Sequence, residues 1–183
     1  MIISMTGKPC SGKTVVIQDL VKKYGFTRIS GGDIYRRAAA ERGIDVLELN
    51  RISDTSVDKM VDEYIVKVGQ ERFNDDIIFD SRTAWHFVPN SFKVFLNIEE
   101  DEQAKRLMGA VRDTEKKYTN MEDAKAALSE RWELENKRYR ALYNFDNKDL
   151  SQYDLVVDTT NKSVEESADL IYQEYLKYYN LNK

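Results

Sequence analysis

At 183 residues the chain has the length of one α/β domain, and a hydrophobic content of 42% is enough to fill its core. Its 28 basic and 32 acidic residues are interspersed and sum to −4, which argues against a nucleic-acid or acidic-membrane surface. With no apolar run of transmembrane length, no signal-peptide pattern before the first apolar run, and a single cysteine that excludes an internal disulfide, the expectation is a cytoplasmic protein without nucleic-acid or membrane partners.

Ile2-Ile3-Ser4-Met5 is an apolar run of strand length, and Val16, Ile17, Leu20, Val21 and Tyr24 recur at the spacing of a helix face. Between them Gly7-Lys8-Pro9-Cys10-Ser11-Gly12-Lys13-Thr14 reads G-x-x-x-x-G-K-[ST]. A chance glycine-rich turn would not need a strand before it and a helix after it. In that setting the two glycines let backbone N–H groups turn inward around a polyphosphate, and the helix N-terminus adds its dipole and free amides. Lys13 would bridge the β- and γ-phosphates of ATP, and the Thr14 hydroxyl would ligate Mg²⁺. Lys8, Pro9, Cys10 and Ser11 line the loop, Cys10 through its backbone rather than its side chain.

Gly25 is placed to end the first helix, and residues 26–30 read as a second strand. Gly31-Gly32-Asp33 then opens a helix over 34 to about 42, with Asp33 as N-cap, a structural role preferred to a catalytic one. From 44 to 73 the pattern stays helical. Val46, Leu47 and Leu49 mark a short segment, Val57, Val61, Tyr64, Ile65 and Val68 a longer one, with Asp54, Thr55 and Ser56 as caps between them. A helical insertion over about 33–73 therefore separates strands two and three, where a P-loop kinase receives its phosphoryl acceptor.

Residues 76–80 read as a buried parallel strand ending in Asp80, at the edge where open α/β sheets bind ligands, so Asp80 is a candidate to hold a water of the Mg²⁺ shell. Residues 92–98 and 153–157 give the fourth and fifth strands, with helices over 99–108 and 124–142 between them. The polar link 109–121 reads as a mobile lid spanning about 106–121, and Arg106, Arg112, Arg131 and Arg138 cluster around it. Planar guanidiniums bind phosphate bidentately and stabilise charge on a transferring phosphoryl group. Arg131 and Arg138, seven residues apart on one helix face, are assigned that role. Arg106 and Arg112 fit it and a solvated charged face equally. A last helix over 163–179 packs on the sheet through Val164, Ala168, Ile171 and Tyr175, its tyrosines serving packing, and His86, the only histidine, is structural.

The phosphate loop, Gly32-Asp33-Ile34-Tyr35-Arg36 after strand two, Asp80-Ser81-Arg82 after strand three, and the Arg131, Glu135, Arg138, Tyr139 spacing together resemble nucleoside monophosphate kinases, most closely the cytidylate (CMP/dCMP) kinases, over essentially the whole chain. The resemblance implies a three-layer P-loop fold with a five-stranded parallel sheet in the order 2-3-1-4-5, an acceptor-binding insertion and an arginine-bearing lid. It implies that Arg36 and Arg82 hold the acceptor phosphate, that Arg131 and Arg138 surround the transferred group, that Glu135 stands near the ribose, and that Asp80 is the family's acidic residue after strand three. Gly31, Thr83 and the run Glu63-Tyr64-Ile65 depart from the family at positions that read the base. A nucleoside monophosphate acceptor is largely ionised at pH 7, its second pKa being about 6, so transfer from ATP needs alignment, Mg²⁺ and arginines rather than a general base. The rivals are a shikimate- or gluconate-type kinase, in which Asp33 would serve a hydroxyl acceptor, and a regulatory P-loop NTPase, which would need neither Arg36 nor Arg82.

Overall fold

Five short runs rich in aliphatic and aromatic residues form one parallel sheet in the computed structural model, which describes residues 1–44, 49, 55–109 and 118–180. The strands are β1 (Ile2–Gly7), β2 (Thr27–Ser30), β3 (Ile77–Asp80), β4 (Phe92–Asn97) and β5 (Leu155–Asp158), in the order β2-β3-β1-β4-β5. Every residue of β1 and β3 is buried, as central strands covered on both faces require. The helices are α1 (Lys13–Tyr24), α2 (Gly31–Glu41), α3 (Thr55–Glu71), the single turn α4 (Ala84–Phe87), α5 (Glu100–Gly109), α6 (Met121–Tyr143) and α7 (Val164–Tyr178).

Alternation along β1 assigns the two faces. Ile3 and Met5 point to the layer made by Val16, Ile17 and Leu20 of α1 and by Ala168, Ile171 and Tyr175 of α7. Ile2 points the other way, joining Ile77 and Phe79 against Val61, Ile65 and Val68 of α3. A third cluster packs Phe95 of β4 against Trp85, Tyr139, Phe145 and Tyr153. Phe79 is fully buried, so its truncation to alanine removes about 3–5 kcal/mol. The tyrosines of α7 do serve packing: the Tyr175 hydroxyl donates to Asp76 Oδ1 at 2.6 Å, and the Tyr179 hydroxyl, just past the helix, donates to the Ile2 carbonyl at 2.9 Å. His86 lies against Trp85, Phe87 and Phe145.

Several boundaries differ from the sequence expectations. α2 begins three residues earlier than expected, and its cap is Ser30, whose hydroxyl accepts the Asp33 N–H at 3.1 Å, so Asp33 sits in the first turn rather than at the N-cap. Serine and aspartate are comparable caps, and extended backbone at Ser30 (φ −112°) decides between them. α6 starts at Met121 because Asn120 accepts the Asp123 N–H at 2.8 Å. α4, too short for a periodic signal, was not anticipated, and β5 starts two residues late, after a 3₁₀ turn at Leu150–Gln152. In the expected segment around Val46, Leu47 and Leu49, only Leu49 lies within the described residues, and it is fully buried. Among the described residues no helix is long and apolar enough to cross a membrane.

Candidate active site

Parallel pairing puts Ser30 opposite Asp80 and Met5 opposite Asp80, so β1, β2 and β3 release their following loops along one edge of the sheet. β1 lies between β3 and β4, and the crevice at such a switch in strand order is where open α/β sheets take ligands.

The loop after β1 is held from outside. Its carbonyls at Pro9 and Ser11 accept hydrogen bonds from Gln103 Nε2 (2.7 Å) and Thr159 Oγ1 (2.9 Å), and the Ser11 N–H closes a turn on the Lys8 carbonyl at 3.2 Å. Lys8 donates its N–H to the Leu96 carbonyl at 3.0 Å and its ammonium to the Ile98 carbonyl at 3.1 Å. Gly7 must lack a side chain, since a Cβ there would stand 2.5 Å from the Leu96 carbonyl oxygen. At the start of α1 the Val16 N–H bonds the Gly12 carbonyl, and the helix has no acidic residue in its first turn and no side-chain cap, so the Lys13, Thr14 and Val15 amides and the positive end of the dipole are left for the crevice. The Thr14 side chain is exposed beside them. Cys10 adopts φ 58°, a conformation in which a non-glycine residue is strained.

Lys13 makes an ion pair with Asp80 Oδ1, and Arg28 of β2 reaches the other oxygen of the same carboxylate through Nε (3.1 Å) and Nη2 (2.6 Å). Asp80 is only 4% exposed and is thus a buried anion between two cations. Burial pushes the Lys13 pKa well below the ordinary lysine value, and the guanidiniums of Arg82, Arg28 and Arg36 push the same way against Glu135. The contact with Asp80 works against that shift, and a polyphosphate in the loop would do the same.

Arg82 follows β3 and pairs through Nε with Glu135 Oε2 of α6 at 3.1 Å, its guanidinium lying over Trp132 at 5.4 Å. Arg131 reaches the other Glu135 oxygen at 3.3 Å. Burial alone would raise the Glu135 pKa, but Arg82, Arg131 and Arg138 outweigh it and hold the carboxyl below the usual range. Arg138 pairs with Asp58 of α3 (3.5 Å) and lies over the rings of Tyr35 and Tyr139. Arg36 is exposed and bonded to Asp33. The Arg82 Nη1 nitrogen is buried and meets no acceptor among the described residues. A buried donor without an acceptor beside Lys13 and three more arginines is what an anion-binding pocket presents.

The chain's relatives agree with this chemistry. A family model described as an AAA domain matches residues 3–127. The cytidylate kinase of Pyrobaculum aerophilum is 31% identical over 171 residues, covering 92% of this chain and 89% of its own length. That of Methanothermobacter thermautotrophicus is 31% identical over 169 residues, covering 91% of this chain and 100% of its own. The chain belongs to the cytidylate kinase family. It is thereby a nucleoside monophosphate kinase, a P-loop phosphotransferase acting with a nucleotide donor. Among solved structures, shikimate kinase from Bacteroides thetaiotaomicron aligns with a TM-score of 0.62 at 16% identity over 97% of this chain and 98% of its own. An uncharacterized protein from Eubacterium ventriosum aligns at 0.70 and 17%, over 96% and 98%. At such identities the likeness shows the fold alone, and it is the sheet order and phosphate loop of P-loop kinases.

Of the site residues expected for this family, Lys13, Asp80, Arg36, Arg82, Glu135, Arg131 and Arg138 converge on the crevice. Arg112 lies outside the described residues, as does much of the expected lid. Arg106 donates to the Thr159 carbonyl at 2.7 Å and pairs with Glu102, which fastens the turn after β5, and its Nη1 lies against the phosphate loop, 3.6 Å from where a Cβ on Gly12 would stand. Sequence reasoning missed Arg28, Asp58 and Asp62. The two aspartates are buried within the apolar stripe Val57, Val61, Ile65, Val68 of α3, and carboxylates interrupting such a stripe are the signal that could have found them. Asp62 accepts from Thr83 Oγ1 at 2.8 Å and from the Tyr143 hydroxyl, and burial, opposed by those bonds, raises its pKa. It opens onto a cleft of about 390 Å³ lined also by Lys59, Glu63, Phe87 and Tyr143.

Proposed function

We propose that this kinase transfers the γ-phosphoryl group of ATP to the 5′-phosphate of CMP or dCMP, with a relaxed preference over UMP. The observation that carries the reading is the unpartnered, buried Nη1 of Arg82 in the crevice with Lys13, the Arg36 and Arg82 pair being what an acceptor phosphate requires. Lys13 and the amides of Gly12–Thr14 would hold the ATP phosphates. The Thr14 hydroxyl and the Asp80 carboxylate are hard oxygen donors suited to Mg²⁺, either directly or through its waters. When bound, Mg²⁺ neutralises phosphate charge. Arg131 and Arg138 stabilise the transferring group, with Arg112 joining them from the lid over about 106–121, and Glu135 orients Arg82 and Arg131 beside the ribose.

Residues 33–73 form the acceptor insertion in this reading, within a single domain spanning 1–183, and the protein works in the cytoplasm. Two of the departures from the family's base-reading positions meet at one place: Thr83 bonds Asp62, and Glu63 lines the adjoining cleft. The third, Gly31, admits no larger residue without a shift, because a Cβ there would stand 3.1 Å from Val61 Cγ1. With the family's base-reading groups lost at these positions the base is held by fewer or different hydrogen bonds, and a site that lacks polar base contacts discriminates weakly. Asp33 is a poor general base for a hydroxyl acceptor: burial raises its pKa, but Arg36 and Arg28 more than reverse that and leave it lowered. The test is coupled ADP release with CMP, dCMP, UMP, AMP, GMP, shikimate and gluconate in turn. Turnover with CMP and dCMP, and less with UMP, is expected. Activity with a hydroxyl acceptor alone would overturn the reading, and ADP release indifferent to every acceptor would point to a regulatory NTPase.

A further inference from the structure

Arg28 stands outside every role described so far, yet it is the residue through which the two halves of the crevice touch. Its Nε and Nη2 hold Asp80 Oδ2 at 3.1 and 2.6 Å, while its Nη1 holds Asp33 Oδ2 at 3.1 Å. Asp80 in turn pairs with Lys13, and Asp33 with Arg36. Lys13, Asp80, Arg28, Asp33 and Arg36 therefore form one chain of alternating charge, running from the phosphate loop at one end to the acceptor-side arginine at the other.

The arrangement solves a problem that phosphoryl transfer poses. Lys13 must meet the nucleotide phosphates, which removes one of the two cations from a carboxylate that is 4% exposed. A buried carboxylate stripped of its partner is strongly destabilising, and Arg28 is the partner that remains. With Lys13 withdrawn, Arg28 is the one protein cation of the pair left on the carboxylate, which would otherwise face only the Mg²⁺ that enters with the nucleotide, so Arg28 shifts towards Asp80 and its hold on Asp33 relaxes. Asp33 and Arg36 are half or more exposed and sit in the first turns of α2, so the pair is free to swing once released from β2.

We propose that Arg28 is a positioning residue that couples nucleotide occupancy of the phosphate loop to placement of Arg36 on the acceptor phosphate. The proposal rests on the kinase reading above. Arginine is required because one planar guanidinium spans both carboxylates, whereas a lysine ammonium in its place could neutralise Asp80 without bridging to Asp33.

The experiment measures CMP binding by calorimetry with and without a non-hydrolysable ATP analogue and Mg²⁺, for wild type, Arg28→Lys, Arg28→Met and Asp33→Asn, alongside steady-state kinetics. In the wild type the analogue is expected to tighten CMP binding about tenfold, a coupling of about 1.4 kcal/mol. Arg28→Lys should keep analogue affinity and thermal stability within about twofold and a few degrees of wild type while the coupling falls towards one and the CMP KM rises at saturating ATP. Asp33→Asn, which cuts the next link without touching Asp80, should reproduce the loss of coupling and thereby decides the matter even if Arg28→Met does not fold. Coupling within twofold of wild type in both Arg28→Lys and Asp33→Asn would overturn the proposal, as would a wild type without coupling. A wild type that neither binds nor phosphorylates CMP would instead fail the kinase reading, so the two failures are distinct.

Discussion

Arg82 Nε meets Glu135 Oε2 at 3.1 Å, and this contact joins the end of β3 to the middle of α6 with both side chains largely buried. Because Glu135 also takes Arg131, one carboxylate holds two guanidiniums from different elements and fixes their spacing before any phosphate arrives. Such preorganisation reduces the ordering cost of binding.

Arg82→Ala should chiefly weaken the acceptor. It removes a charge-assisted contact worth roughly 1.5–3 kcal/mol, which is about ten- to a hundredfold in kcat/KM for CMP. ATP affinity should change little. Equal damage to ATP binding and acceptor use would place Arg82 on the donor instead.

Lys13→Ala should abolish transfer while leaving a folded protein, because Asp80 keeps its bonds to Arg28. Turnover is measured at saturating ATP and Mg²⁺, and folding by thermal melting. Near-wild-type turnover would remove the loop from the mechanism.

Cys10 tests the backbone of the loop. At φ 58° it sits where a β-branched residue is strained, so Cys10→Val should lose about 1–2 kcal/mol of stability. Cys10→Ser should retain activity, since the position contributes its backbone. A large fall in kcat for the serine variant would give the thiol a role.

Glu135 should make stability depend on pH in acid. Its folded pKa lies below the ordinary 4.5, so its contribution is fully present above that value and is lost as pH falls through the folded pKa. Glu135→Gln removes the negative charge that Arg82 and Arg131 both face at pH 7 and should melt well below wild type there. The gap should narrow as pH falls below the ordinary 4.5 and through the lowered folded pKa, which parallel melting curves would show; a constant gap would mean that Glu135 is not held ionised by these arginines.

The order of strands and helices was legible because hydrophobic periodicity and loop chemistry are local: β1, the glycine-framed loop and α1 could be placed from residues 2–24 alone. The phosphate-handling arginines were legible as candidates for the same reason, since Arg131 and Arg138 share a helix face through their spacing. Which cation meets which anion was not, because pairing is decided by the parallel register that sets Ser30 beside Asp80 and brings Arg28 along β2 to the same carboxylate. Arg106 shows the same limit: its spacing could not foretell that the packing of α5 against the turn after β5 engages it with the backbone carbonyls at Thr159 and Thr160 while its Nη1 stays beside Gly12. Asp58 and Asp62 resisted sequence reading because a carboxylate is tolerated in an apolar stripe only where partners from elsewhere in the chain reach it, here Arg138, Tyr143 and Thr83. The sequence by itself thus determined the elements and the kind of chemistry, through local spacing and backbone freedom. Tertiary structure alone decided the charge pairing in the crevice, because electrostatic partners in a desolvated site are chosen by distance in space.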